Sequence, residues 1–91
     1  LARLLVPRVV HVPLDHEGNV PLYQQLAAVL RDQIASGGIA VHRPIPSKTA
    51  LRQQYEVSAG TVERALDVLK AEGLLESVQG KGLYVTDPAE R

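Results

Sequence analysis

Residues 57 to 75 constrain this chain more than any other stretch. They run Val57-Ser58-Ala59-Gly60-Thr61-Val62-Glu63-Arg64-Ala65-Leu66, then Leu69, then Glu72-Gly73-Leu74-Leu75. A short helix ends, a turn follows, a second helix starts on a cap, and a strand begins. Ser58 suits that cap, because its hydroxyl oxygen accepts a backbone N–H from the first turn that has no helical partner. Val62, Leu66 and Leu69 recur at helical spacing and line one buried face. Gly73 ends the helix, since the left-handed C′ position suits a residue without a Cβ. Upstream, residues 47 to 55 form a shorter helix behind Ser47. Two helices across so tight a turn are either a plain helical hairpin or a helix-turn-helix, whose second helix enters a DNA major groove.

The residues that follow favour the second reading. Leu74-Leu75-Glu76-Ser77-Val78 alternates like a half-buried strand. Gln79-Gly80-Lys81-Gly82 is a tight turn with a basic tip, its glycines supplying positive φ. Leu83-Tyr84-Val85-Thr86 is rich in β-formers. A helix-turn-helix followed by a hairpin is a winged helix. Gly-Lys-Gly is too short for a nucleotide-binding loop and lacks its Ser or Thr. Ahead of these elements, a first helix spans about Pro21 to Ser36, with an apolar face of Leu22, Leu26, Val29, Leu30 and Ile34. Proline sits early in it, where a missing N–H costs nothing, and Gly37-Gly38 stops it. The expected fold is mainly α with a small antiparallel β wing: three helices plus a two- or three-stranded sheet. Residues 1–19 read as an N-terminal arm with a short strand near Val9 to Leu14, residues 20–87 as the winged helix-turn-helix domain, and residues 88–91 as a tail.

Size and composition exclude other classes. A chain of 91 residues buries roughly 60–65% of its unfolded surface, enough for one modest core and too little for an enzyme with a large pocket. Phe, Trp and Met are absent and there are three Tyr, so the core must be aliphatic. Tyr55 is expected inside the helix-turn-helix core, and Tyr23 and Tyr84 at its edge. The absence of cysteine excludes disulfides and thiolate metal sites. His11, His16 and His42 are scattered without ligand spacing, and no Ser/His/Asp set or paired carboxylates stand out. The chain reads as a non-enzyme, with no catalytic residues, no metal and no cofactor. Apolar runs such as Leu4-Leu5-Val6 are far too short to span a membrane, and no signal peptide is apparent.

Several separated motifs, in order, carry a family resemblance. Pro13-Leu14-Asp15, Pro21-Leu22-Tyr23-Gln24-Gln25-Leu26, Leu30 to Gly37, Ile45-Pro46-Ser47, Val57-Ser58 with Gly60-Thr61-Val62, Ala71 to Leu75 and Gln79 to Gly82 resemble the N-terminal winged-helix domain of GntR-type bacterial transcription regulators. The likeness covers about residues 13 to 86. It implies a cytoplasmic bacterial repressor domain that binds double-stranded operator DNA, as a homodimer when bound or within a longer parent chain. It also suggests that Pro44-Ile45-Pro46 adds a short strand to the wing. GntR-type proteins usually carry a C-terminal effector and dimerisation domain, so the chain reads either as a fragment of such a regulator or as a free-standing domain. Neither the effector nor the operator is legible.

The departures from that pattern fall on charge. The second helix usually carries an arginine two residues after its capping serine, where this chain has Thr49. The recognition helix usually opens with an arginine, where this chain has Ala59. Another usually follows the Thr-Val pair, where this chain has Glu63. Val41-His42 stands where relatives often have a Pro-Gly turn. From Ser47 to Thr86, Lys48, Arg52, Arg64, Lys70 and Lys81 balance Glu56, Glu63, Asp67, Glu72 and Glu76, and the whole chain has a formal net charge of +0. DNA-reading domains usually show a basic stripe.

Two functions remain open. One is a DNA-binding regulator that reads with helix 58–72 and the 79–82 wing. Its candidate DNA-binding residues are Ser47, Lys48, Thr49, Arg52, Ser58, Ala59, Gly60, Thr61, Arg64, Gly80 and Lys81. Of these, Ser47 and Ser58 are helix caps first, Arg64 competes between a phosphate and Asp67, and Lys81 has few structural reasons to be basic. The other is a winged-helix protein–protein interaction module with weakened or lost DNA binding.

Overall fold

A computed structural model describes residues 14–90. Three helices come first: α1 (Leu22–Ser36), α2 (Lys48–Tyr55) and α3 (Ala59–Ala71). A hairpin of β1 (Leu75–Val78) and β2 (Gly82–Val85) follows, and a 3₁₀ turn (Pro88–Glu90) ends the described chain. The expected strand near Val9 to Leu14 falls almost wholly outside the described residues. Leu14, the first of them, is in no strand and is buried.

Each helix begins and ends for a local chemical reason. Ser47 Oγ accepts the Ala50 N–H at 3.1 Å, and Ser58 Oγ accepts the Thr61 N–H at 3.1 Å. These two caps satisfy donors that the first turns of α2 and α3 leave open. Pro21 stands at the N-cap of α1, one place before the helical position expected for it, and makes no side-chain cap. Its carbonyl accepts the N–H groups of Gln24 and Gln25. Gly73, at φ 81, closes α3 in a Schellman arrangement: Leu74 N–H donates to Leu69 O and Gly73 N–H to Lys70 O, both at 3.0 Å. Glu56 closes α2 at φ 58, a left-handed position held by a residue with a Cβ. His16 Nε2 lies 3.1 Å from the Glu56 carbonyl and ties the entering loop to this turn.

One core joins the three helices and the wing. It holds Leu26, Ala27 and Leu30 of α1, Leu51 and Tyr55 of α2, Val62, Ala65, Leu66 and Leu69 of α3, and Leu75 and Val85 of the wing. Val62, Leu66 and Leu69 are buried as their spacing predicts, and Tyr55 lies inside. Leu22, Val29 and Ile34 of the expected α1 face are only half-buried, and Ala27 takes a central place instead. Gln25 fixes the loop before α1. Its side chain accepts the Asp15 N–H at 2.7 Å and donates to the carbonyls of Asp15 and Val20.

The sheet has two strands, in antiparallel register from Leu75↔Val85 to Val78↔Gly82. The third strand suggested at Pro44-Ile45-Pro46 reduces to one bridge, Pro44↔Tyr84. Prolines have no N–H to give a ladder, so only neighbouring residues bond to β2: His42 N–H to Val85 O, Ile45 N–H to Leu83 O, and Val85 N–H to Arg43 O. His42 adopts φ 65. At the hairpin tip Lys81 N–H donates to Val78 O at 2.9 Å with Gly80 at φ 79, the conformation a type II turn requires of its third residue. No helix of the described residues is long and apolar enough to cross a membrane.

Across the outside of the core, Arg31 of α1 holds Glu72 at the end of α3 in a two-point pair, Nε to Oε1 at 2.9 Å and Nη2 to Oε2 at 2.7 Å. The Arg31 hydrogen bond holds the Glu72 carboxyl below the usual carboxylate range; partial burial opposes it, and the Arg31 charge adds a smaller lowering. A depressed carboxylate stabilises the fold at pH above its unfolded value, and this contribution is lost as pH falls through its folded value. Both side chains are about 40% exposed (41% and 39%), which limits the pair to about 0.5–1 kcal/mol. Glu72→Gln is expected to cost that much at neutral pH and almost nothing below the carboxylate range. Thermal melts of both proteins across pH check this, and the difference at neutral pH should shrink in high salt. Replacing Glu56 by glycine should raise stability by about 0.5–1 kcal/mol, because glycine removes the left-handed strain and keeps the carbonyl that His16 meets. Urea unfolding of Glu56→Gly measures it.

Candidate nucleic-acid interface

Burial of Val62, Ala65, Leu66 and Leu69 turns the other face of α3 outward. Ala59, Gly60, Glu63, Arg64, Asp67 and Lys70 are exposed, and Thr61 is half-buried. The wing returns beside this face, because Thr86 Oγ1 donates to Gly73 O at 2.6 Å and Thr86 N–H to Leu74 O at 3.0 Å. These two bonds bind the end of β2 to the start of β1.

The structure sorts the candidate residues into neighbouring depressions. An open groove of about 680 Å³ between α2, α3 and the wing brings Ser47 and Lys48 opposite Gly80 and Lys81. A shallower one, against the start of α1, brings Ser58, Gly60, Thr61 and Arg64 beside Tyr23. Glu63 and Asp67 line both. Thr49 and Arg52 of α2 and Ala59 of α3 are exposed and line neither.

The cations on this surface are not equivalent. Lys48 Nζ lies 3.9 Å from Glu63 Oε2, with both side chains 58% exposed. So open a pair contributes at most about 1 kcal/mol, yet it places an acid where Lys48 would otherwise meet an anion. Arg64 does not pair with Asp67. Its guanidinium lies over the Tyr23 ring, 4.0 Å from the centroid, a contact of roughly 0.5–1 kcal/mol that leaves the guanidinium edge open. Tyr23 therefore does more than fill the core edge as expected. It is the residue that aims Arg64, and only the packing of α1 on α3 reveals it. Among the described residues, Arg52 and Lys81 have no carboxylate within 4.0 Å. The first turns of α2 and α3 contain no acidic residue, so the positive ends of both helix dipoles stay uncompensated and favour an anion. Among the described residues no group of three His, Cys, Asp or Glu is placed to hold a metal ion.

Comparison with known proteins matches this arrangement to one family. The model of the bacterial regulatory proteins of the gntR family matches residues 22–85. The chain is 41% identical over 70 residues to the mannosyl-D-glycerate transport/metabolism system repressor MngR of Escherichia coli (strain K12), covering 77% of this chain and 29% of that protein. It is 33% identical over 75 residues to the HTH-type transcriptional repressor NagR of Bacillus subtilis (strain 168), covering 82% of this chain and 31% of that protein. The chain thus spans less than a third of either relative. Among solved structures, AraR(DBD) in complex with operator ORX1 superposes with a TM-score of 0.76 at 34% identity, over 82% of this chain and 95% of that one.

Proposed function

The chain belongs to the gntR family of bacterial regulatory proteins, and we propose from that premise that it is the operator-binding domain of a cytoplasmic transcriptional repressor. It is a regulator's DNA-binding domain and not an enzyme. One observation carries the reading: the whole fold, with α3 and the wing on one side, is that of a domain solved on its operator.

In this reading α3 lies in the major groove and the wing follows the flanking backbone. Ser47, Lys48, Arg52, Arg64 and Lys81 meet phosphates, with the Gly80 backbone close by. Ala59, Gly60 and Thr61 face base edges, and Thr49 stands where the family resemblance implies an arginine. Two copies, brought together as a homodimer, read two half-sites about 34 Å apart. The neutral charge balance is the single feature that favours a protein-docking module. It is outweighed, because relatives on both sides of the comparison are repressors or operator-bound domains.

Lys81→Ala should weaken binding to all duplexes about equally and lower the salt slope by about one unit, as for one phosphate contact. Titrations of selected and random duplex at several salt concentrations measure both. An unchanged slope in a folded variant removes Lys81 from the interface. Glu63→Arg with Ala59→Arg should tighten binding ten-fold or more at moderate salt, each new contact contributing roughly 1–3 kcal/mol. The gain should shrink as salt rises. Glu63→Gln alone should give a smaller gain by releasing Lys48. No gain in either variant on random duplex means that α3 does not face DNA.

A further inference from the structure

The first two residues of α3 offer no polar side chain. Ser58 Oγ accepts the Thr61 N–H at 3.1 Å and donates its proton to Thr61 Oγ1 at 3.0 Å. The Ser58 hydroxyl proton is thus committed within the chain and is not available to donate to a phosphate. The next two residues, Ala59 and Gly60, are exposed and have no hydrogen-bonding side chain. The Arg64 guanidinium is drawn toward α1 by the Tyr23 ring, and Glu63 is drawn toward α2 by Lys48.

Gly60 carries a second observation. Glycine weakens a helix relative to alanine, so its presence in the first turn asks for a reason. Its φ lies outside the left-handed region that glycine alone tolerates well. A Cβ built on it would meet no atom nearer than Ser58 Oγ at 4.0 Å. Nothing inside the described chain requires glycine there. A partner that comes close to the helix backbone would supply the reason.

We infer that Ala59 and Gly60 read an A·T pair, Ala59 packing on the thymine C5-methyl while Gly60 lets the helix approach closely enough for that contact. The inference rests on the operator-binding reading above and names the base that reading leaves open. In the major groove the thymine methyl is the one apolar group a base pair presents. An alanine gains there by excluding water from two methyls. Over a G·C pair the same alanine would cover the guanine O6 and N7 acceptors without supplying a donor, and that costs affinity.

The test uses the 91-residue chain and a duplex library randomised over a site of about 18 base pairs, sized for two half-sites. Selection should enrich A·T at the position under Ala59. In the enriched duplex, replacing that thymine by deoxyuridine removes only the methyl and should weaken binding about four-fold. Ala59→Gly should lose a similar factor and become indifferent to the replacement. Ala59→Arg should shift the selected base to guanine, the partner of a bidentate arginine. Gly60→Ala should weaken binding on the order of ten-fold while its melting temperature stays level or rises by up to about 4 °C. That divergence separates a reading role from a structural one. An enriched duplex that binds equally well with uracil at every thymine overturns the methyl contact and leaves operator binding standing. Gly60→Ala binding with unchanged affinity overturns the close approach. Failure to enrich any sequence, with no salt-dependent binding to random duplex, overturns the operator reading and this inference with it.

Discussion

The packing of α3 on α1 is the constraint from which the rest of the structure follows. Val62, Ala65, Leu66 and Leu69 are committed to the core with Leu26, Ala27 and Leu30. A helix has one face to bury, so that commitment decides which residues of α3 remain outside. Ala59, Gly60, Glu63 and Arg64 face outward because their neighbours face in. The same contact brings Tyr23 beneath Arg64 and Arg31 against Glu72. In a chain this short, core and reading surface are two sides of one helix. A Leu66→Ala change in this core belongs to the class that costs about 2–5 kcal/mol.

What the sequence made legible was the chemistry that acts over three or four residues. Ser47 and Ser58 as caps, Gly73 as a stop and Gly80 in the turn each follow from a local rule about an orphan N–H or a positive φ. The structure places all four accordingly. The stripe of Val62, Leu66 and Leu69 was equally plain, because periodicity reports burial. The contacts that aim the surface were not legible. Arg31 and Glu72 lie 41 residues apart, and His16 reaches the Glu56 carbonyl across 40. No spacing rule connects such pairs, which exist only once two helices have packed. Arg64 shows the difference well. Its sequence neighbour Asp67 offered a partner at helical spacing, yet the ring of Tyr23 on another helix takes it. The strand suggested at Pro44-Ile45-Pro46 dwindled to a bridge for a reason visible in the sequence itself, since two of its three residues cannot donate.

Overall neutrality is the unusual property of this chain. Binding to arbitrary DNA comes almost wholly from phosphate contacts and released counterions. Here Glu63 sits against Lys48, and the chain as a whole has no net charge. With fewer free cations a reader gains less from random duplex, and the groove itself has to supply a larger share of its affinity. Specificity is a ratio of two affinities, and lowering the denominator raises it as surely as adding a contact. The cost falls on association rate, which a basic stripe would otherwise have increased.

The strip from His42 to Ile45 has a consequence for how copies of this domain coexist. A two-stranded hairpin has two open edges, and each is a template on which another chain can add a strand. Along β2, that edge is already occupied by backbone bonds from His42, Arg43 and Ile45. Pro44 lies within that strip and Pro46 directly after it, and neither presents an N–H to a newcomer. The other edge is β1, only four residues long and bearing Glu76. The wing is thereby sealed against edge-to-edge growth on one side and kept short and charged on the other. The sheet therefore gives a neighbouring domain no long, uncharged edge on which to add a strand.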